Sequence, residues 1–381
     1  MDMYMNNNFH IFDEVIVGSG LVARSYARSK SNSKQLVVAP TLTRFFKNFQ
    51  LNGEDVISGA SAEGLGRSWH GIIPLKYVSE RTVQVMKCWY KHIDLDAKNF
   101  EEHNRFFVPY VPIRPKHIKL SNHVSFMDAL VHSIEDKDTY FELKTDHNVV
   151  HCKKVVIAAG TVASYSILSR SCHKVRNLFK FKTTMDDHVS VYLGQGSRKF
   201  ETDKIFHKSG FSFRGLIFDD AVVFQRPAHF DFKNQENVRN RSRGWADSPL
   251  NLIVRIFKSF SVGLISEAMY NKLGISPFKD LIFNYYCQMK VKDLFILDNQ
   301  HWKMDAGKLN AIHERIGELR RELGIGGSFE AKLGAGLHYS HNIEQLSGFD
   351  KIVILDSSSS QLDGPFHNTF KLCCRAFLMQ Q

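Results

Sequence analysis

The chain lacks the marks of several large protein classes. Its 381 residues include six cysteines (Cys88, Cys152, Cys172, Cys287, Cys373 and Cys374), and no two of them have C-x-x-C spacing. Scattered thiols without that spacing argue against a zinc ribbon or a disulfide framework, so the expectation is a reduced cytoplasmic protein with no metal site. No run approaches the roughly 18 to 20 apolar residues that a spanning helix needs. The opening MDMYMNNNFHIFDE has no basic start followed by an apolar stretch, so no signal peptide is expected. Helix-turn-helix, zinc-finger and RNP patterns are missing too, and nucleic acid is not an expected partner. Neither an internal repeat nor a low-complexity linker divides the chain, so a second domain is expected as an insertion into the first.

What is present supports a folded α/β protein. A hydrophobic share of 43% over this length supplies a core for two domains or one large unit. The formal charge of +11 favours anionic partners. It leaves open a phosphorylated or lipid-linked substrate and peripheral contact with the inner face of a membrane. The basic clusters Lys174–Lys182 and Arg239–Arg243 read either as solvated faces or as that contact. Leu250–Leu273 reads as a partly apolar helix carrying Arg255 and Lys258, either one of a packed pair or an amphipathic surface element.

The first forty residues follow a strand, turn, helix, strand order. Glu14–Val17 is a short apolar run, Gly18-Ser19-Gly20 breaks it, Leu21–Ser29 suits a helix, and Gln35–Ala39 is a second apolar run ending at Pro40. The turn has the form G-x-G-x-x-A. Gly18 allows the tight turn, Gly20 lets the backbone approach a diphosphate, and Ala23 is small enough for the helix to lie on the sheet. A dinucleotide fold of this type places an acid at the end of its second strand to hold the ribose. None stands at Val38-Ala39-Pro40-Thr41. That gap, with Arg44 nearby, leaves an NADP-dependent reductase as the alternative reading.

Further on, Ser125–Ser133 reads as a helix, Tyr140–Ala159 as strands ending at Gly160, and a helix follows near Ala163. Asp186–Phe224 alternates like antiparallel sheet, Asn284–Leu297 is strand, and Asp305–Leu323 is an amphipathic helix stopped by Gly324. Lys351–Leu355 is a last strand running into Asp356-Ser357-Ser358.

Three further segments carry chemistry. Gly64-Leu65-Gly66-Arg67-Ser68-Trp69-His70-Gly71-Ile72-Ile73-Pro74 interleaves small residues with Trp and His, as a backbone packed against a flat ring would. Val155–Ser164 is a buried strand ending in Ala-Gly before a helix. Near the C-terminus stand Gly334–His338, Val353–Ser358 and His367-Asn368-Thr369.

Taken with the glycine turn, these segments resemble the glucose–methanol–choline (GMC) oxidoreductases, particularly their sugar-oxidising and polysaccharide-biosynthesis branches. The resemblance covers Asp13 to Ala376, with the middle poorly matched. It implies an FAD-binding Rossmann-like domain over 1–185 and 331–381. An inserted α+β substrate domain on an antiparallel sheet would then span 186–330. It implies FAD held by Gly18, Gly20, Ala23, Gly66, Ser68, His70, Gly160, Asp356 and Ser357, and His70 falls where some relatives attach the flavin covalently. His338 takes the place of the base that removes a hydroxyl proton, and Asn368 that of its hydrogen-bond partner. Asn368 also reads as a plain helix cap. The implied activity is oxidation of a CH–OH group of an alcohol, in particular a sugar, with an unspecified electron acceptor. A catalytically degenerate relative acting as a binding protein is the third reading.

Overall fold

The computed structural model describes residues 10–29, 33–41, 44–51, 54–60, 73–92, 100–103, 106–109, 115–202, 205–207, 211–227, 283–299, 301–326, 333–335, 339–346, 351–359 and 369–379. Two sheets organise them.

The first sheet is built from β1 (Ile11–Val17), β2 (Gln35–Val38), β8 (Val124–Met127), β9 (Val131–Asp136), β10 (Phe141–Thr145), β11 (Val149–Ile157) and β21 (Ile352–Ile354). Its order is β8-β2-β1-β11-β10-β9, with β21 also on β11. The pairs among β8, β2, β1, β11 and β21 are parallel, while β9, β10 and β11 form an antiparallel meander. The two partners share one edge of β11: β10 takes Val149–Cys152 and β21 takes Val155–Ile157.

Both faces of the parallel part are covered, which is why these strands read as continuous apolar runs. Strand periodicity sends Ile16, Val37, Val156 and Val353 to one face, where they pack with Ala23, Tyr26 and Ala27 of α1 (Leu21–Ser29). Val15, Val17, Leu36, Val38, Val155, Ile157, Ile352 and Ile354 point the other way, against the meander and Ile167 and Leu168 of α3 (Thr161–Ser169). Outside α1, α2 (Glu80–His92) and α6 (Thr369–Leu378) add a third apolar layer, with Trp89 and Met86 fully buried against Cys373 and Phe377. One short helix, α4 (His173–Arg176), follows α3.

The second sheet is mostly antiparallel. It comprises β3 (Arg44–Leu51), β4 (Glu54–Ala60), β13 (Thr184–Gly196), β14 (Ile205–His207), β15 (Phe211–Ile217), β16 (Ala221–Pro227), β17 (Phe283–Asp298), β18 (His301–Met304) and β19 (Leu333–Ala335). Its path runs β14-β15-β16-β17-β18-β3-β4, with β13 on β17 and β19 on β13. It therefore draws strands from 44–60, joined through Trp302 beside Phe49, as well as from 184–335. The helix α5 (Ala306–Glu322) packs Ile312, Ile316 and Leu319 against Val191, Leu193 and Phe295. Asp305 caps its N-terminus by accepting a hydrogen bond from the Gly307 amide (2.7 Å), and Gly324 leaves it at φ +65°. Two small sheets complete the described strands: β5 (Ile73–Pro74) with β6 (Phe100–His103) and β7 (Phe106–Pro109), and β12 (Phe179–Phe181) with β20 (Ile343–Gln345).

One sequence expectation is corrected here. Ser125–Ser133 is no helix; its first residues belong to β8 and its last to β9, separated by Asp128-Ala129-Leu130. Short apolar stretches fit either period, and the pairing of β8 with β2 decides for strand. The helix expected at Leu250–Leu273 and the basic cluster Arg239–Arg243 lie outside the described residues. In the other basic cluster, Lys174 pairs with Asp138 (2.6 Å) and Asp136 (3.2 Å), and Lys180 with Glu344 (3.9 Å). No helix among the described residues is long and apolar enough to cross a membrane. No group of three metal-ligating side chains occurs among them, and all six cysteines are free thiols.

Candidate functional site

The parallel strands end on one line. The Gly18 amide donates to Val38 O (2.8 Å), the Ala158 amide to Val17 O (2.9 Å) and the Leu355 amide to Ile157 O (2.8 Å). Gly18, Ala158–Gly160 and Leu355–Asp356 thus leave the sheet side by side, at the carboxyl ends where open α/β sheets bind ligands.

Gly18 is held at φ +107°, and a Cβ there would lie 2.3 Å from Ala158 O and 2.7 Å from its carbon. Only glycine fits, because the neighbouring backbone occupies the space. Gly20 O accepts the first intrahelical bond, from Arg24 N (3.0 Å). The amides of Leu21, Val22 and Ala23 therefore have no acceptor within α1. No acidic side chain stands in that first turn, so the helix end is ready for an anion. Ala23 is fully buried against Ile16, Val37 and Val156, and a larger side chain would push α1 off the sheet. Beneath the turn, the buried Glu14 carboxylate accepts from Gln35 Nε2 (2.8 Å) and Tyr26 Oη (3.1 Å) and lies 3.3 Å from Lys154 Nζ. One side chain therefore ties β1, α1, β2 and β11 together.

The second turn is built around Asp356. Gly160 opens α3 at φ +86°, and its amide donates to Asp356 Oδ2 (3.0 Å). Ser164 Oγ donates to the same oxygen, while Ser358 donates through its amide (3.0 Å) and its hydroxyl to Oδ1. Burial pushes the Asp356 carboxyl above its ordinary value, and those four hydrogen bonds pull it back down. These contacts make Asp356 the clamp between the Ala-Gly turn and the Asp-Ser-Ser turn. Ser357 opens the short 3-10 turn Ser357–Ser359, and its carbonyl accepts from the His341 amide (3.0 Å).

The segment after position 338 is stitched to both turns. Thr161 Oγ1 donates to Tyr339 O, Asn342 Nδ2 donates to Thr161 O (3.4 Å), and Ser340 and Asp186 exchange backbone hydrogen bonds (2.9 and 3.0 Å). His341, at φ +62°, lies 2.6 Å from Lys182 Nζ and 3.6 Å from Asp186 Oδ2. Burial first, and the Lys182 charge second, lower its pKa below 6.5. Asp187 and His188 are buried in β13, in keeping with a structural place for His188.

The structure thus brings together Gly18, Gly20, Ala23, Gly160, Asp356 and Ser357. Gly66, Ser68, His70, His338 and Asn368 lie outside the described residues. Arg44 opens β3, whose backbone pairs with β4. Sequence reasoning missed Glu14 and Asp128; neither belongs to a motif, and each finds its partners through the sheet. Ser164 did leave a signal, as the serine four residues after Gly160.

Neither a protein-family model nor a curated protein matches the sequence. Solved structures do resemble the fold. Pyridoxine 4-oxidase from Mesorbium loti superposes with a TM-score of 0.53 at 10% identity, covering 97% of this chain and 98% of that chain. Tetracycline destructase Tet(51) gives 0.42 at 8% identity over 97% and 81%, and the halogenase PltM 0.39 at 11% over 96% and 68%. The first of these likenesses spans nearly the whole of both chains, and the protein therefore has the α/β fold of pyridoxine 4-oxidase.

Proposed function

We propose that this protein is an FAD-dependent oxidoreductase of the GMC type, oxidising a CH–OH group of an alcohol, in particular a sugar or sugar derivative. One observation carries the reading. Two glycine-dependent turns, at Gly18 and Gly160, stand side by side at the carboxyl edge of the parallel sheet, and the residues directly after position 338 are hydrogen-bonded to the second.

The residues present fit a dinucleotide. The acid-free first turn of α1 offers backbone amides to a diphosphate, and the Gly18 turn lets it approach. Gly18, Gly20 and Ala23 would hold the diphosphate side, with Gly160, Ser357, Gly66, Ser68 and His70 toward the flavin. Asp356 would shape that side by fixing the Gly160 turn. When bound, the flavin supplies the hydride acceptor. The resemblance gives His338 the task of taking the hydroxyl proton, which a neutral imidazole suits, and Asn368 that of orienting the hydroxyl. In this reading 1–185 and 331–381 form the cofactor part and 186–330 the substrate part, to which β3 and β4 are added. The basic charge favours an anionic or lipid-linked substrate.

The test is the absorbance spectrum of the purified full chain, before and after acid precipitation. Yellow protein with flavin bands is expected; colour retained in the precipitate would show a covalent link, and its loss in His70→Ala would place that link at His70. A colourless preparation that takes up no added FAD overturns the proposal. The His338→Ala variant is expected to keep its flavin and lose alcohol-dependent reduction; unchanged reduction removes His338 from the chemistry.

A further inference from the structure

The second strand of the parallel sheet ends without the acid that a dinucleotide fold uses for the ribose, yet an acid does stand at the end of the neighbouring strand β8. Val17 is paired with Val38, and Val38 with Met127, so β1, β2 and β8 finish in register. The Ala39 amide donates to Met127 O (3.1 Å), extending that register one residue past β2. The next residue after Met127 is Asp128, which is exposed. Its Oδ1 accepts the Thr41 amide (2.8 Å) and its Oδ2 accepts the Thr41 hydroxyl. Thr41 thus donates to both oxygens, which fixes the plane of the group. Neighbouring strands are about 4.8 Å apart, so Asp128 stands one strand from the end of β2 and roughly 10 Å from the Gly18 turn. The diphosphate and ribose of an adenine nucleotide span such a gap.

We infer that Asp128, oriented by Thr41, is the ribose-binding carboxylate of this protein, supplied by β8 in place of β2. The inference rests on the proposal that the Gly18 turn binds a dinucleotide. It also decides between the two cofactor readings. A carboxylate at the ribose accepts hydrogen bonds from 2′- and 3′-hydroxyls and repels a 2′-phosphate, so the site takes an unphosphorylated adenosine and disfavours NADP. The same register explains why the sequence pattern appears broken: the acid lies 87 residues beyond its partner Thr41, on a strand that becomes the neighbour of β2 only in the fold.

The experiment is a set of titrations on the flavin-stripped full chain, following the quenching of flavin fluorescence by FAD and by FMN. ADP-ribose and its 2′-phosphorylated form serve as competitors against FAD. Wild type is expected to prefer ADP-ribose over the 2′-phosphorylated form. Asp128→Asn and Asp128→Ala are expected to weaken FAD binding at least about tenfold, the loss of a hydrogen bond to a charged acceptor. Both should narrow the preference among competitors and leave FMN, which has no adenosine, unaffected. Unfolding midpoints like that of wild type would show that the fold survives. Variants that bind FAD and discriminate like wild type overturn the inference while leaving the flavin proposal standing, as does an equal loss for FAD and FMN. Wild type that binds neither FAD nor ADP-ribose overturns both.

Discussion

Replacing Asp356 tests whether the two turns of the site are clamped as described. In the Asp356→Ala variant four donors lose their acceptor: the amides of Gly160 and Ser358 and the hydroxyls of Ser164 and Ser358. A hydroxyl rotates to find another acceptor, but the two amides are fixed by the backbone. The buried Ser358 amide left unsatisfied costs about 1–3 kcal/mol, whereas the amide of the exposed Gly160 can turn to water at little cost. Relief of the carboxyl's own burial offsets part of that, leaving an expected loss of about 1–2 kcal/mol. Asp356→Asn keeps the volume and one carbonyl oxygen while turning an amide N–H toward two of the donors, so it should fall between Ala and wild type. Urea unfolding followed by circular dichroism, with a common m value, measures all three. An Ala variant within about 0.5 kcal/mol of wild type, the range of an ordinary surface change, would refute the clamp. So would an Asn variant less stable than the Ala variant.

Other outcomes follow from the same geometry. Gly18→Ala should cost roughly 3 kcal/mol or more, since strain at positive φ adds to a backbone clash. At Gly160 nothing lies within 4 Å of an added Cβ, so Gly160→Ala should cost only the conformational strain of φ +86° with ψ 157°, about 1–3 kcal/mol; the reverse order of unfolding midpoints would contradict the packing. Cys88 is exposed while Cys152, Cys287, Cys373 and Cys374 are buried, with burial pushing Cys152 and Cys374 up to about 12. A disulfide reagent at mildly alkaline pH should find Cys88 fast, Cys172 slower and the other four only after unfolding. His341 should titrate below 6.5 by NMR, and Lys182→Met should move it upward by removing the neighbouring cation. Because the folded value is the lower one, this group's contribution is complete above 6.5 and is lost as pH falls toward the folded value.

The opening βαβ unit was legible because local signals suffice for it: apolar runs of strand length, a glycine turn and a helix with the small Ala23 where it meets the sheet. The helix Ala306–Glu322 was legible for the same reason, with Asp305 as its cap and Gly324 as its stop. The stretch around Asp128 was misread because Val124–Val131 satisfies helical and strand periods equally, and only contact with β2 resolves it. The membership of β3 and β4 in the second sheet was not legible, since it depends on Trp302 meeting Phe49 across most of the chain. In the site, glycines were readable from their spacing, and Asp356 from its place after a strand. That Asp356 faces inward toward Gly160 and Ser164 depends on β11 and β21 being neighbours.

That neighbourhood also sets an order of assembly. Glu14 and Gln35 are 21 residues apart, whereas Gly160 and its clamp Asp356 are 196 apart. Closing the longer loop costs about 2 kcal/mol more chain entropy than closing the shorter one. During synthesis the Gly18 turn and its helix can form as soon as β2 has left the ribosome, while the Gly160 turn waits for almost two hundred further residues. Until then β11 keeps half of one edge unpaired, a template for the wrong strand. The protein is most exposed to misassembly in the interval between its two glycine turns.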